Sequence, residues 1–325
     1  MKFLIIQTAH IGDVILALPV AQALRSEHPN AEIHFVVRKG NESLLANHQA
    51  IDKTWVWDKS FKKYRNLFRL IAKLKKIKFN AAYNLQRFFS SGYIMFNIKA
   101  KEKIGFDKNP LAKFYTKSIP HIINQVKKDD FIHEVQRNLA LLGKNELIRP
   151  KLYPSASDIA KVESLEIKQP FFIIAPASVW FTKQWTINKW QALANQLSKK
   201  GSVVAIGAKG DADLCDEVLN SIERSFNLCG ELSLLQSAAL MQQAERVYCN
   251  DSAPMHLASS VNAPTTAIFC STIPQFGFGP LSDDAEIVET NENLACRPCG
   301  LHGKKECPEG HFKCATTIDL SQITI

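Results

Sequence analysis

The sequence has 325 residues, of which 46% are hydrophobic, enough for two domains with separate cores. It contains no apolar run of about 18 residues or more, so we expect no transmembrane helix. The apolar part of the segment 1–7 is too short for a signal peptide and suits a first buried strand. We therefore expect a cytoplasmic protein.

Positive charge is concentrated in the first half of the chain. Residues 1–150 hold 26 Lys and Arg against 12 Asp and Glu, whereas residues 151–325 hold 14 against 19. A basic half indicates an anionic partner, and nucleic acid, anionic lipid and phosphorylated glycan all fit. No helix-turn-helix or other base-reading pattern is present, so we expect no nucleic-acid partner.

The chain opens with a predicted strand over 2–7, a loop over 8–13 and a helix over 14–25. This order is typical of a Rossmann-like unit, but the GxGxxG fingerprint is absent, which disfavours a dehydrogenase. Asp13 stands at the helix start, where a negative charge is favoured. It is either an ordinary N-terminal helix residue or a general base that faces a cleft.

The remainder of the first half alternates strands and helices. Strands are predicted over 31–37, 53–56, 81–85 and 103–106, with a closing helix over 133–142. The stretch 61–79 is basic and amphipathic, and we interpret it as a surface helix whose apolar stripe packs on the sheet. Its positive charge also suits an anionic membrane leaflet. Gln86 and Arg87 follow a strand directly.

The second half repeats this pattern after a linker over 149–157. Strands are predicted over 171–175, 203–206, 247–249 and 265–269, with a short strand and turn over 227–230. Helices are predicted over 187–200, 211–220, 234–243 and 255–261. Strands that alternate with helices predict parallel sheets in both halves. We therefore expect an α/β protein with domains 1–150 and 151–325.

The turn after the strand 247–249 is the strongest candidate site. Asn250, Asp251 and Ser252 are N-cap residue types, and Pro254 suits the first turn of the next helix. Ligands of open α/β sheets bind at the carboxyl ends of strands, and a helix N-terminus suits a phosphate. The alternative is an ordinary capped βα turn.

These features together resemble glycosyltransferase family 9, the ADP-heptose:lipopolysaccharide heptosyltransferases. The resemblance rests on Gly12-Asp13, on Lys183-Gln184-Trp185, on the segment from Asn250 to His256 and on a cysteine-rich tail. It implies a GT-B architecture, in which two Rossmann-like domains with parallel sheets face each other across a cleft. It also implies an inverting, metal-independent transferase with the nucleotide sugar on the second domain and a lipid-linked acceptor at the inner membrane face on the first.

The resemblance also implies roles for individual residues. Asp13 matches the general base and Lys183 the lysine that meets the donor diphosphate. The donor-binding set is Ser178, Asp211, Leu232, Asp251, Ser252, Ala253 and His256. His10, Gln86 and Arg87 are the candidate acceptor-binding residues. We expect ADP-heptose as donor, no cofactor for catalysis, and peripheral attachment to the inner membrane.

Four of the eight cysteines lie in a tail over 296–314. Cys296, Cys299, Cys307 and Cys314 fall within 19 residues, a spacing compatible with structural zinc. Reduced thiols in a compact loop are the alternative, and a disulfide is disfavoured in a reducing cytosol.

Two other functions are compatible with this sequence. A non-catalytic nucleotide-sugar or glycan-binding protein has the same fold but no turnover. A nucleic-acid-binding protein that uses the basic half and the cysteine-rich tail predicts salt-sensitive DNA or RNA affinity.

Overall fold

The computed structural model describes residues 1–123 and 131–325. The described chain divides into two compact units. The first contains Met1–Ile123 and Ile132–Lys151, and the second contains Phe131 and Leu152–Ile325. The sequence divided the chain between residues 150 and 151, one residue from the point where the second unit resumes.

The first unit is built on a six-stranded parallel sheet in the order β3-β2-β1-β4-β5-β6. Its strands are β1 Lys2–Ile6, β2 Glu32–Arg38, β3 Lys53–Trp57, β4 Lys78–Asn84, β5 Lys99–Phe106 and β6 Lys117–Ile119. Its helices are α1 Ile11–Glu27, α2 Lys63–Leu74, α3 Phe89–Asn97 and α4 Glu134–Ala140, with short 3₁₀ turns at Glu42–Leu45 and Ala112–Phe114. The residues of β1 and β2 are mostly apolar and, apart from the strand ends, all buried, as expected of strands covered on both faces.

The second unit has a sheet of the same size and kind, in the order β12-β11-β10-β7-β8-β9. Its strands are β7 Phe171–Ala175, β8 Ser202–Ala205, β9 Ser225–Asn227, β10 Arg246–Asn250, β11 Thr265–Phe269 and β12 Ala285–Glu289. Its helices are α5 Ala156–Glu163, α6 Ile187–Ser198, α7 Ala212–Leu219, α8 Leu234–Gln243, α9 Ala253–Ser260 and α10 Lys313–Thr316. Short 3₁₀ turns lie at Phe181–Lys183, Lys209–Asp211, Pro274–Phe276 and Leu320–Gln322.

Local sequence explains where several helices begin. The Ser155 and Ser233 hydroxyls accept the backbone N–H groups of Asp158 and Gln236, whose side chains accept the serine N–H groups in return. These capping boxes satisfy two helix-end donors each. In the core of the second unit, the rings of Trp185 and Trp190 meet edge to face at 5.5 Å.

The α/β prediction with parallel sheets is confirmed for both units, but several elements differ. β6, α5 and α10 were not predicted, and the predicted helix over 61–79 ends at Leu74, with β4 beginning at Lys78. Helix α1 begins at Ile11, so Asp13 lies in its first turn and not in the preceding loop. Helix α3 was not predicted, because Phe89–Asn97 mixes aromatic, Ser and Gly residues without a helical period. Strand β12 was also not predicted, since only Val288 in it is buried.

Candidate active site

Both sheets reverse their strand order at one point, and the candidate residues gather there. In the second unit, β8 and β9 are added on one side of β7, and β10 then pairs with β7 on its other side. The loops that follow β7 and β10 diverge from such a switch point and leave a crevice between them, where open α/β sheets bind ligands.

Asn250, the last residue of β10, holds the two loops together. Its Oδ1 accepts the backbone N–H of Trp185 at 3.0 Å, and its Nδ2 donates to the carbonyl of Pro176 at 2.7 Å. The side chain is fully buried, so an apolar replacement would leave both backbone groups unsatisfied. In the sequence, Asn250 was named as an N-cap residue type and as the start of the segment that carries the family resemblance, but its contacts to both loops were not predicted.

Lys183 and Asp251, 68 residues apart in sequence, form an ion pair at this switch point. Lys183 Nζ lies 2.7 Å from Asp251 Oδ2, and the side chains are 15% and 9% exposed. The hydroxyl of Thr272, which follows β11, donates to the same carboxylate oxygen at 2.6 Å. Charge-assisted bonds of this kind fix a lysine head group in direction as well as position. The ammonium is therefore held at the carboxyl edge of the sheet.

Helix α9 begins within the same turn. Ser252 occupies its N-cap position in extended backbone, Ala253 is its first residue, and Pro254 lies in its first turn. The first N–H groups of a helix have no intrahelical acceptor and carry partial positive charge, which suits a phosphate oxygen. His256 is buried in the first turn of α9. Four of the predicted donor residues therefore lie in one βα turn, next to Lys183.

The other predicted donor residues follow neighbouring strands at the same edge of the sheet. The backbone carbonyl of Ser178, after β7, accepts from the Gln184 side chain at 2.7 Å, which closes the loop that carries Lys183. Asp211, after β8, accepts the N–H of Ala208 at 2.8 Å and so caps its own turn. Leu232 is half-buried in the turn between β9 and α8. The structure thus places all seven predicted donor residues at one edge of the sheet, in the segments that follow β7, β8, β9 and β10.

The cysteine-rich tail packs directly against the Lys183 loop, which sequence reasoning did not anticipate. The Thr182 N–H donates to the carbonyl of Lys304 at 3.1 Å, and the Lys304 N–H donates to the Thr182 hydroxyl at 2.7 Å. Gly303 has φ +75°, and an added Cβ would lie 2.9 Å from Lys183 Cγ and 3.2 Å from Ser271 Oγ. Glycine permits this approach, so the tail supports the loop that presents Lys183.

Arg297 anchors the tail to the end of β11. Its guanidinium donates to the carbonyls of Phe269, Cys270 and Thr272 at 3.1, 2.7 and 2.7 Å, and to Glu289 Oε2 at 2.8 Å. One side chain therefore satisfies three carbonyls beside the switch point. Only its position between two cysteines marks Arg297 in the sequence.

The tail thiols lie near one another, but not as a metal cage. Cys296 Sγ and His311 Nε2 are 3.9 Å apart. Burial, together with the neighbouring thiols, raises the pKa of Cys299 and raises that of Cys314 to about 12. Within residues 1–123 and 131–325, no three His, Cys, Asp or Glu side chains are grouped to hold a metal ion. The described side chains are not arranged to bind zinc. Structural zinc therefore stays a prediction from the sequence, which metal analysis of the purified protein tests.

The first unit has its own switch point, between β1 and β4. The hydroxyl of Thr8, after β1, donates to Gln86 Oε1, after β4, at 2.7 Å, and both side chains are buried. Asn109 Nδ2 donates to the carbonyls of Gln86 and Phe88 at 3.0 and 2.9 Å. The predicted acceptor residue Gln86 is therefore fixed at this edge, and Arg87 beside it is exposed.

Lys59 is a basic residue at this edge that sequence reasoning did not single out. Its Nζ donates to the Thr8 carbonyl at 2.6 Å and lies 4.5 Å from the ring centroid of Trp57. Burial, together with the charges of Arg38 and Lys63, lowers the pKa of Lys59 to about 8. A half-buried ammonium at the carboxyl edge of β1 suits an anionic group on a ligand. Its one signal in the sequence is its place just after β3.

Asp13 stabilises the start of α1. Its Oδ2 accepts the backbone N–H of His10 at 3.0 Å, and the residue is half-buried while His10 is exposed. Asp13 therefore does what an ordinary N-terminal helix residue does, and it lies at the carboxyl edge of β1, on the helix that follows this strand. The bond orients the carboxylate, and its role as a base stays a prediction.

The profile of glycosyltransferase family 9 (heptosyltransferase) matches residues 67–311, three quarters of the chain. The chain belongs to glycosyltransferase family 9. It is therefore a glycosyltransferase enzyme, and the non-catalytic alternative is set aside.

Named relatives span nearly the whole chain. Lipopolysaccharide heptosyltransferase 1 of Campylobacter coli is 25% identical over 345 residues, covering 99% of this chain and 97% of its own. Lipooligosaccharide heptosyltransferase 2 of Haemophilus influenzae is 26% identical, covering 90% of this chain and 89% of its own.

Solved structures share the fold. ADP-heptose lps heptosyltransferase II of Escherichia coli superposes with a TM-score of 0.78 at 20% identity, covering 92% of this chain and 96% of its own. Escherichia coli heptosyltransferase WaaC with ADP superposes with a TM-score of 0.72 at 18% identity, covering 88% and 92%. These likenesses confirm the GT-B type of fold, with two Rossmann-like domains. No helix in the described parts of the chain has the length and apolar character needed to cross a membrane.

Proposed function

We propose that this glycosyltransferase moves a heptose from ADP-heptose to a lipopolysaccharide core or a related surface-glycan acceptor. The named relatives support this substrate class, since they are lipopolysaccharide and lipooligosaccharide heptosyltransferases. A structural neighbour was solved with ADP-2-deoxy-2-fluoro heptose, which supports an adenine nucleotide sugar as donor.

The Lys183–Asp251 pair at the switch point of the second unit carries the donor assignment. When the bond between the sugar and the diphosphate breaks, negative charge develops on the departing ADP. A fixed ammonium and the N-terminus of α9 stabilise that charge in place without reorganising. Asp251 holds the ammonium in direction, and Ser252, Ala253 and His256 lie in the same turn. We assign Ser178 to the phosphates, and Asp211 and Leu232 to the nucleoside.

Asp13 is the proposed general base. A sugar hydroxyl is a poor nucleophile, and a carboxylate that removes its proton as it attacks raises the rate by about 10²- to 10⁴-fold. The hydroxyl oxygen bonds to the anomeric carbon, the bond to the diphosphate breaks, and the proton passes to Asp13. Attack opposite the leaving group inverts the configuration. In this proposal the protein cations do the work that a divalent metal does in other transferases.

The acceptor is assigned to the first unit, at the carboxyl edge of its sheet. His10, Gln86 and Arg87 were predicted there, and the structure adds Lys59. The excess of Lys and Arg over Asp and Glu in residues 1–150 suits an acceptor that bears phosphate or carboxylate groups. We place the reaction at the cytoplasmic face of the inner membrane, on a lipid-linked acceptor.

Transfer from a panel of ADP-, UDP- and GDP-sugars to a purified core acceptor, with EDTA present, tests this proposal. We expect turnover with ADP-heptose and a product anomer opposite to that of the donor, assigned by NMR. Preference for a uridine or guanosine donor would contradict the donor assignment, and retention of configuration would contradict the role of Asp13.

A further inference from the structure

Helix α2 carries a second apolar stripe, which faces solvent. Its inward stripe is the buried set Leu67, Leu70, Ile71 and Leu74. Tyr64 and Phe68 lie four residues apart on one face of this helix and are 65% and 55% exposed. Phe61, two residues before the helix begins at Lys63, is 68% exposed. Packing against the sheet therefore does not explain these three rings.

The aromatic side chains continue from α2 onto α3, through the half-buried Tyr93. The centroid of Phe68 lies 6.1 Å from that of Tyr93, which stacks on Phe89 at 6.0 Å. Farther along α3, Phe96 packs against Phe114 at 4.9 Å. Large apolar surfaces of this kind mark a binding face on a soluble domain. We call this set the aromatic face; its members are Phe61, Tyr64, Phe68, Phe89, Tyr93, Phe96 and Phe114.

Basic side chains surround the aromatic face. The stretch 59–78 holds nine Lys and Arg and no Asp or Glu. The ammonium groups of Lys62, Lys63 and Lys113 lie 4.9, 5.6 and 5.2 Å from the centroids of Phe61, Tyr64 and Phe114. Aromatic rings at headgroup depth with Lys and Arg beside them are the composition of an interfacial membrane helix.

We infer that the aromatic face docks the protein on an anionic lipid bilayer, with the rings among the headgroups and the basic residues against lipid phosphates. The charge selects the occupant, because a stretch with nine basic residues and no acidic one is complementary to an anionic leaflet. The face includes Phe89, two residues from Arg87, the predicted acceptor residue. The inference thus extends the proposed function, by bringing the enzyme to the surface that would hold a lipid-linked acceptor.

Flotation of the full-length protein with acceptor-free vesicles tests the inference. Binding is measured to phosphatidylcholine vesicles with and without roughly one third phosphatidylglycerol, whose negative charge gives the bilayer surface the potential that attracts Lys and Arg. We expect binding only to the anionic vesicles, weakened by salt. Replacing Lys62, Arg65 and Arg69 with Gln should lower the partition coefficient by about 100-fold, the effect of three surface charges.

Two matched sets of substitutions separate docking from general surface effects. Phe61→Ser, Tyr64→Ser and Phe68→Ser together should abolish flotation while transfer to a delipidated, water-soluble acceptor is unchanged. Leu147→Ser, Ile159→Ser and Ile287→Ser, at exposed apolar positions elsewhere, should leave flotation intact. The basic control is Lys161, Lys168 and Lys199 changed to Gln, which should also leave it intact.

Flotation that is equal for the aromatic variant and the parent would overturn the inference. So would dimerisation through the same residues without vesicle binding, or RNA affinity lost in the variant without vesicle binding. Because the vesicles contain neither donor nor acceptor, failure here leaves the proposed transfer reaction untouched. If the parent protein does not transfer a heptose to the soluble acceptor, that result would instead count against the proposed function.

Discussion

The two units have the same strand order and the same kind of switch point, yet their switch points hold different chemistry. In the second unit, a buried amide ties two loops together and an ion pair stands in front of a helix N-terminus. In the first unit, a hydroxyl–amide bond joins the residues that follow β1 and β4, Asp13 lies on the helix after β1, and Lys59 donates to the Thr8 carbonyl. The fold supplies the location, and a few side chains decide what each location does.

The two units also differ in net charge. Residues 1–150 carry all of the chain's excess of Lys and Arg, and α2 has no acidic residue, whereas residues 151–325 are net acidic. A donor with one compact diphosphate needs a single fixed cation and a helix end. An acceptor on a charged surface needs a broad positive field, which acts over about a Debye length of 8 to 10 Å. The unequal charge therefore fits a division of work between the units.

The largest expected effect comes from Asp13→Asn. The amide oxygen still accepts the His10 N–H, so the start of α1 is kept, but the group no longer takes a proton. We expect kcat to fall by about 10³-fold. Asp107→Asn, at an exposed carboxylate of the same unit, is the control. A kcat within a factor of two of the parent enzyme would remove Asp13 from the chemistry.

Lys183→Gln is expected to have the next largest effect. It removes the ammonium from the diphosphate site and leaves Asp251 without its cation, so kcat/KM should fall by about 10²-fold or more. Lys189→Gln in the same unit, at an exposed pair with Asp319, should change it by less than about twofold. Equal rates for both variants would argue against a donor site at this edge.

Arg297→Gln tests whether the tail holds the second unit's switch point in place. The change removes an ion pair and hydrogen bonds to three carbonyls, and the arginine side chain is only 11% exposed. We expect the free energy of unfolding to fall by about 2 to 4 kcal/mol, measured in urea. An unchanged midpoint would mean that the tail is not an anchor.

The smallest effect concerns Lys59 and appears as a pH dependence. Since the pKa of Lys59 is about 8, its positive charge is lost as pH rises through that value. The KM for an anionic acceptor should rise about tenfold between pH 7 and pH 9, the loss of one charge-assisted bond. Lys59→Arg should flatten the profile, because arginine stays charged. A parallel rise in the Arg variant would assign the pH dependence to another group.

Sequence patterns predicted the strands and helices best where burial is complete. The bounds of β7, α8 and β11 agree with the prediction residue for residue, because each is a continuous apolar run or a serine-capped helix. Lys183 and Asp251 were both named from the sequence, but their contact depends on β7 and β10 being neighbours. Arg297 and Lys59 were missed, since each acts through backbone carbonyls that no residue pattern reports.

We propose that the two units divide the reaction, with the donor held by the second unit alone. Calorimetric titration of ADP-heptose into the parent enzyme, Asp13→Asn and Lys183→Gln tests it most directly. We predict an unchanged Kd for Asp13→Asn and a Kd raised at least about tenfold for Lys183→Gln, as one lost charge-assisted contact requires. An unchanged Kd for Lys183→Gln, or a raised Kd for Asp13→Asn, would contradict this division of the reaction between the two units.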